Sequence, residues 1–492
     1  MTKYMRSYIR QTLTGLLLLS SMILQTGCSS WKSPLEQAGH QPEIFPDYKD
    51  ITVPCNIAPL NFMIEGADHI QATVTADGEQ ILKVTGKDGV VSFPQKKWNA
   101  LLQQSKGSQI QVEVSAWTDE SSKGIQYSPF TINVSEDDID PWLAYRLIEP
   151  GYSSWRQLGV FQRDLSSFEE SAIVTNMTDN ETCLNCHHFP SYSSESMMFH
   201  ARGKNGGTIL YHNGKLIKIN FKEIGPKKNT TYPAWHPDGR LLAFSSNSTK
   251  QVFYLHGKKP IEVYDLSSNL VIYDTQTGEV LTDPRFMTEE TMETFPAWSP
   301  DGKWLYYVAA DAKSLPAELE QMHYHLLRVS FDPETRTFGE TIDTLYNAHI
   351  KGGSASYPRV SPDGRYLFYT WSQYGTFPIW HEEADLRMMD LETMADVDVT
   401  LWNDADETDS YHSWSSNGRW TVFGSRRLDG RYTRLYIAGF DESGQPLKPF
   451  LLPQEDPRQN LWRLKSYNVP EFIDDKVTLP KEVAELFTPE KH

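Results

Sequence analysis

The chain reads as all-β and in two parts, a small sandwich followed by a propeller built from repeats. Three observations lead there. Short segments alternate apolar and polar residues with period two between about residues 48 and 135. One motif then recurs from about residue 189 to about residue 450. Aromatic residues make up 12 % of 492 residues, with 14 Trp, which points to large packed cores rather than disorder.

The first part is predicted over 48–135. Ile70-Gln71-Ala72-Thr73-Val74, Ile81-Leu82-Lys83-Val84, Ile110-Gln111-Val112-Glu113-Val114 and Phe130-Thr131-Ile132-Asn133-Val134 alternate as half-buried strands do. Asp77-Gly78 and Asp88-Gly89 supply turns. The stretch from Pro54 to Phe62 reads as the first strand. A helix is expected from Gln95 to Gln104, after Pro94, with Trp98, Leu101 and Leu102 on one face. Strands at this spacing over roughly 90 residues fit an immunoglobulin-like sandwich. The acidic run Glu136-Asp137-Asp138-Ile139-Asp140, broken by Pro141, marks the boundary.

The second part, over 142–475, is carried by the repeat. Tyr232-Pro233-Ala234-Trp235-His236-Pro237-Asp238-Gly239-Arg240 returns as Phe295-Pro296-Ala297-Trp298-Ser299-Pro300-Asp301-Gly302-Lys303 and as Tyr357-Pro358-Arg359-Val360-Ser361-Pro362-Asp363-Gly364-Arg365. A fourth copy is Tyr411-His412-Ser413-Trp414-Ser415-Ser416-Asn417-Gly418-Arg419. A degraded copy is expected at Phe189-Pro190. In each copy a short strand ends at a tight turn whose Gly takes positive φ, and an apolar strand follows. Two more strands complete a four-stranded unit, which at this length is a propeller blade. A further blade is expected to pair strands from Trp142–Leu165 with strands from Trp462–Phe472 and close the ring. That gives six blades, with seven or eight allowed by the long steps of 63 and 62 residues between the starts at 232, 295 and 357.

These copies resemble the TolB-type β-propeller repeat, whose core is aromatic-Pro-x-Trp-Ser-Pro-Asp-Gly-Lys. The likeness covers roughly residues 190–450.

The chemistry concentrates at Cys183-Leu184-Asn185-Cys186-His187, a C-x-x-C-H pattern of covalent c-type haem attachment. Each thiol can add to one haem vinyl group, and the adjacent imidazole supplies an axial nitrogen. With 4 Cys and 14 His in the chain, chance accounts for about 0.001 such patterns. The alternatives are a disulfide or redox dithiol, or part of a zinc site. A thioredoxin-like dithiol wants a βαβ context, and zinc wants a second ligand pair, neither of which the sequence supplies. One covalent haem c is therefore expected, with His187 as its proximal ligand. For the opposite face of the iron, His412 is the first choice, because it replaces Pro at the second position of its copy. Met292, three residues before its aromatic, is the second choice, and an open position is the remaining reading. A histidine that merely lines the channel, bonded to backbone or water, is the plainer reading of His412. Met197, Met198 and His200 read as blade core.

The N-terminus reads as an export signal over residues 1–27. Lys3, Arg6 and Arg10 precede an apolar run from Leu13 to Leu24, which ends at Thr26-Gly27-Cys28. The Gly-Cys end resembles a bacterial lipoprotein signal and implies lipidation at Cys28, although Gln25 stands where Leu is usual. Residues 28–47 form a tether without periodicity, and no acidic cluster follows Cys28, which favours an anchor facing the periplasm. Ordinary cleavage with Cys28 as a bystander is the alternative. Cleavage removes three basic residues and no acidic one, taking the net charge from −18 to −21. Such a body is a poor partner for nucleic acid and suits basic proteins, some c-type cytochromes among them. Cys55, flanked by Pro54 and Ile57, reads as buried, and residues 476–492 as a C-terminal tail.

The whole chain is similar to exported lipoproteins that join a TolB-like propeller to a C-x-x-C-H motif and are described loosely as cytochrome c biosynthesis proteins. That resemblance implies a periplasmic haem or electron-transfer setting, with periplasmic or membrane proteins as partners. No G-x-S-x-G elbow or phosphate-binding Gly-rich loop is present, so the chain reads as an electron carrier or binding protein rather than an enzyme. The acidic run Asp404, Asp406, Glu407, Asp409 lacks the Gly and terminal Glu of an EF-hand and reads as a solvated loop. Lys258-Lys259 and Arg426-Arg427 read as surface charge.

Overall fold

The computed structural model describes residues 36–118, 123–149, 158–175, 183–203, 206–224, 230–254 and 259–487. The signal segment, Cys28, the start of the tether and Lys258 lie outside the described residues. The chain is all-β, and its C-terminal part is made of four-stranded antiparallel sheets of propeller type.

In the N-terminal part the strand Ser108–Trp117 is central. One edge pairs with His69–Ala76, which pairs in turn with Glu79–Lys87. The other edge carries Phe130–Val134 and Ile125–Gln126, extended by the parallel strands Ile51–Val53 and Glu36–Gln37. A ribbon, Phe62–Met63 with Val90–Val91, packs into the same core. The expected first strand from Pro54 to Phe62 is present only at its end, because Pro54 and Pro59 supply no ladder N–H. The helix Gln95–Gln104 follows Pro94 and buries Trp98, Leu101 and Leu102. Cys55 is buried, its thiol 2.6 Å from Asp138 Oδ1 and pushed up to about 11 by burial first and by that carboxylate second.

Six four-stranded sheets follow among the described residues. Five run in chain order, beginning at Cys183–His188, Thr231–Trp235, Thr291–Trp298, Ser354–Val360 and Asp409–Trp414. The sixth joins Glu170–Thr175, Gly159–Asp164 and Trp142–Ile148 to the C-terminal strand Ser466–Ile473. The first strands of successive sheets touch one another, and Ser466–Ile473 touches both Asp409–Trp414 and Cys183–His188. One hydrophobic core runs from the N-terminal sheet through Trp98 and Tyr48 to Tyr145, Trp420 and Phe472. The boundary acids are fixed in this joint. Asp140 accepts from the Ser416 N–H at 2.8 Å, and Asp137 pairs with Arg419 at 2.9 Å.

The repeat has a different phase from the one the sequence suggested. Each of the six first strands carries a bulge at a left-handed residue: Cys186 (φ 49°), Tyr232 (46°), Phe295 (52°), Tyr357 (54°), Tyr411 (44°) and Val469 (47°). The aromatic-Pro signal marks this bulge, where a proline sacrifices no ladder hydrogen bond. In the first sheet the equivalent pair is therefore Cys186-His187, not Phe189-Pro190, which lies three residues beyond it. The sixth sheet supplies Val469-Pro470.

Candidate functional site

The six bulges converge on the channel between the first strands. The two residues of four of them, with Tyr357 and Arg359 from the fourth sheet and Val469 and Pro470 from the sixth, line a cavity of about 40 Å³. Aromatic rings fill most of the girdle. Tyr232 and Phe295 lie 4.1 Å apart, Phe295 and Tyr357 4.6 Å, and Tyr357 and Tyr411 4.3 Å. Phe377 reaches in from a loop and meets Tyr232, Tyr357 and Tyr411. The two small members, Cys186 and Val469, belong to first strands that touch each other.

His187 and His412 occupy the same position in their sheets, one residue after the bulge, and both line this cavity. They are 1 % and 4 % exposed, and the backbone of Val469 approaches the His187 ring while that of Phe368 and Tyr357 approaches the His412 ring. Burial holds both imidazoles down to about 3, with Arg146 adding to the effect at His187 and Arg359 at His412. Glu471 Oε2 lies 3.6 Å from His187 Nε2, and its Oε1 lies 3.7 Å from His188 Nε2. Burial raises the Glu471 carboxyl to about 8 against the pull of Arg359. His188 lines the far side of the channel, in a cavity of about 240 Å³. Met292 is not on this cavity. It is buried in a core between sheets, with Tyr324 Oη donating to its sulfur at 3.7 Å. Met197, Met198 and His200 are buried in the core, and His200 Nδ1 lies 2.9 Å from Thr208 Oγ1.

Cys183 and Cys186 are not bonded to each other. The Cys186 sulfur lies 3.4 Å from Thr231 Oγ1, while Arg146 Nη2 reaches the Cys183 sulfur at 3.9 Å. Cys183 opens onto a third cavity of about 180 Å³ at the near mouth of the channel. Arg146, Arg202, Arg426 and Trp380 stand around it. Arg426-Arg427 is thus not surface charge. Arg426 is 3 % exposed, lies over the Trp380 ring at 3.1 Å, and is pulled down to about 9 by burial. Arg427 pairs with Asp409 at 2.7 Å, which takes that carboxylate out of the solvated loop the sequence suggested. The sequence could not show this, because a basic pair in a loop reads as solvent-facing unless its acceptor is known.

Cys183 faces the near-mouth cavity with its aromatic and cationic wall, whereas Cys186 and His187 line the girdle, so the two thiols and the imidazole do not face one space in this structure. The 40 Å³ girdle itself has room for a few waters and not for a macrocycle. Among the described residues no group of three or more His, Cys, Asp or Glu side chains is placed to hold a metal ion.

No family model and no curated protein matches the chain. Solved structures similar to it include a candidate TolB from Agrobacterium tumefaciens, 13 % identical over 68 % of this chain and 99 % of that one, with a TM-score of 0.37. A puromycin-hydrolyzing peptidase from Mycobacterium tuberculosis is 12 % identical over 71 % of this chain and 52 % of its own, also at 0.37. The periplasmic gluconolactonase of Pseudomonas aeruginosa is 14 % identical over 64 % and 97 %, at 0.32. The chain spans about half the length of the peptidase. At these distances the description of the fold rests on the strand pairings, and the chemistry of the site on its own residues.

Proposed function

We propose that this chain is a periplasm-facing lipoprotein that carries one covalent c-type haem at the mouth of a six-bladed propeller. It acts in electron transfer, as a redox partner or as a cytochrome-related assembly factor. The observation that carries the reading is the C-x-x-C-H itself, set on the first strand of a sheet with no disulfide between its thiols and with His187 buried. Cys183 and Cys186 would hold the haem covalently and His187 would ligate its iron, with His412 as the further candidate ligand. A bound haem supplies one-electron exchange. The contacts around the ring of first strands support six blades, and the two-stranded ribbon packed into the core of the seven-stranded N-terminal sheet is what supports an immunoglobulin-like sandwich. Periplasmic or membrane proteins, basic cytochromes among them, are the proposed partners of so acidic a body.

Intact mass decides the haem. Protein made with haem-attachment machinery should exceed the polypeptide mass by one haem, and Cys183→Ala with Cys186→Ala should lose it. An unchanged mass would sink the reading. The tightness of the girdle favours a second reading, in which the chain is a haem-free binding scaffold with a Cys183–Cys186 disulfide. A colourless protein whose mass falls short by two hydrogens would establish that one. Anchoring is tested separately: Cys28→Ser should move the protein from membranes to the soluble periplasmic fraction, and a parent that is already soluble would refute the anchor.

A further inference from the structure

Three guanidinium groups converge on the near mouth from three different sheets. Arg146 belongs to the closing strand Trp142–Ile148, Arg202 to Met197–Arg202, and Arg426 follows Trp420–Ser425. Several arginines elsewhere in this acidic chain meet carboxylates, while the buried Arg163 and Arg434 meet amide and carbonyl oxygens. Arg240 pairs with Asp274 at 2.6 Å, Arg463 with Glu170 at 2.8 Å and Arg427 with Asp409 at 2.7 Å. None of the three at the mouth has a carboxylate within ion-pair distance among the described residues. Arg146 donates to Asn185 at 2.9 Å, Arg202 to Thr231 at 3.1 Å and Arg426 to the Arg431 carbonyl at 2.9 Å. The Nε atoms of Arg146 and Arg426 are buried with no acceptor, in side chains of residues 7 % and 3 % exposed. Glu149 is the one carboxylate among the described residues lining the 180 Å³ cavity, while Glu407 and Asp429 act on Arg426 and Asp265 on Arg202 from beyond its wall.

A buried guanidinium with an unmet N–H and no carboxylate partner is unfavourable, and its planar fork matches a carboxylate or phosphate. We infer that Arg146, Arg202 and Arg426 form a binding site for a carboxylate-type anion at the channel mouth. The inference does not need the haem. The carboxylate has two possible sources, a haem seated against Cys183 or a free small carboxylic acid, and the same recognition chemistry serves both.

Calorimetry with succinate on the full chain tests this, in low-chloride buffer and in two preparations. One is haem-loaded, and the other is the Cys183→Ser, Cys186→Ser variant, which cannot attach haem. Succinate should bind the haem-free preparation with a dissociation constant of about 1 mM or below. Arg426→Gln should weaken it about tenfold or more. Because Arg426 is buried, Arg202→Gln, at an exposed side chain, is the second variant and should weaken binding about tenfold as well. Binding to the haem-free preparation alone means that the haem's carboxylates fill the site. Binding to both means that the ligand is free. Should no haem attach at all, the two preparations behave alike and succinate still decides. Failure of both succinate and phosphate to bind the haem-free protein, or undiminished binding in Arg202→Gln, would overturn the inference.

Discussion

At the scale of single residues, the bulge position decides what each first strand can do. Four strands place an aromatic ring at the bulge, and the strands bearing Cys186 and Val469 place small side chains there. His187 and His412 stand one residue on and share an environment, whereas Met292 sits in a core and is already engaged by Tyr324. A low-spin spectrum of the haem-loaded protein should therefore be lost in His412→Ala and kept in Met292→Leu. The Met292→Leu exchange conserves volume and should cost less than about 1.5 kcal/mol. Optical and electron paramagnetic resonance spectra check both. A signal unchanged in His412→Ala would place the sixth ligand elsewhere.

At the scale of elements, the hairpin Leu241–Phe253/Ile261–Asp274 is longer than the others and reaches across the mouth. Thr249, Gln251, Ile261 and Val263 of this hairpin line the mouth cavity. Its far end is tied to the fourth sheet's loop by a buried network. His381 Nε2 lies 3.1 Å from Glu262 Oε1 and its Nδ1 3.2 Å from Glu383 Oε1, while Lys259 reaches Tyr374 at 2.6 Å. Burial alone would lower the His381 imidazole, but the bonds to Glu262 and Glu383 outweigh it and hold the group above its ordinary value. Breaking such a pair from one side costs about 3 kcal/mol. Glu262→Gln should thus lower the unfolding free energy by about 2–3 kcal/mol near pH 6. A raised imidazole binds its proton more tightly when folded. Its contribution is complete below the unfolded value of 6.5 and fades as pH rises through the folded one. The gap between parent and Glu262→Gln should accordingly narrow from pH 6 to pH 9 in denaturant titrations. A gap that widens with pH would refute the charged state assigned to His381.

At the scale of the whole molecule, the ring is closed by chain ends that are far apart in sequence. Ser466–Ile473 pairs with Trp142–Ile148 and brings Val469, Pro470 and Glu471 into the channel. Truncation after Lys465 should strip the closing sheet of its innermost strand and leave Trp142–Ile148 with an exposed edge, a known route to aggregation. Such a chain should be insoluble or melt far below the parent, as differential scanning fluorimetry would show. Retention of the parent's melting temperature would mean that the closure contributes little.

Much of this was legible in the sequence, because period-two alternation, turn residues and a recurring motif are local properties of the chain. They gave the all-β class, the helix at Gln95–Gln104, the two groups of strands that pair to close the ring and the burial of Cys55. The C-x-x-C-H motif is local in the same way, as is the acidic balance. The phase of the first and sixth sheets was not legible. Cys186-His187 and Val469-Pro470 keep the left-handed bulge without the aromatic that signals it elsewhere, and only the ladder registers show the equivalence. The equal placement of His187 and His412, the exclusion of Met292 and the meeting of Arg146, Arg202 and Arg426 were likewise decided by tertiary structure. Each depends on which residues of distant strands come to face one channel, and sequence spacing carries no record of that once the chain has folded into a ring.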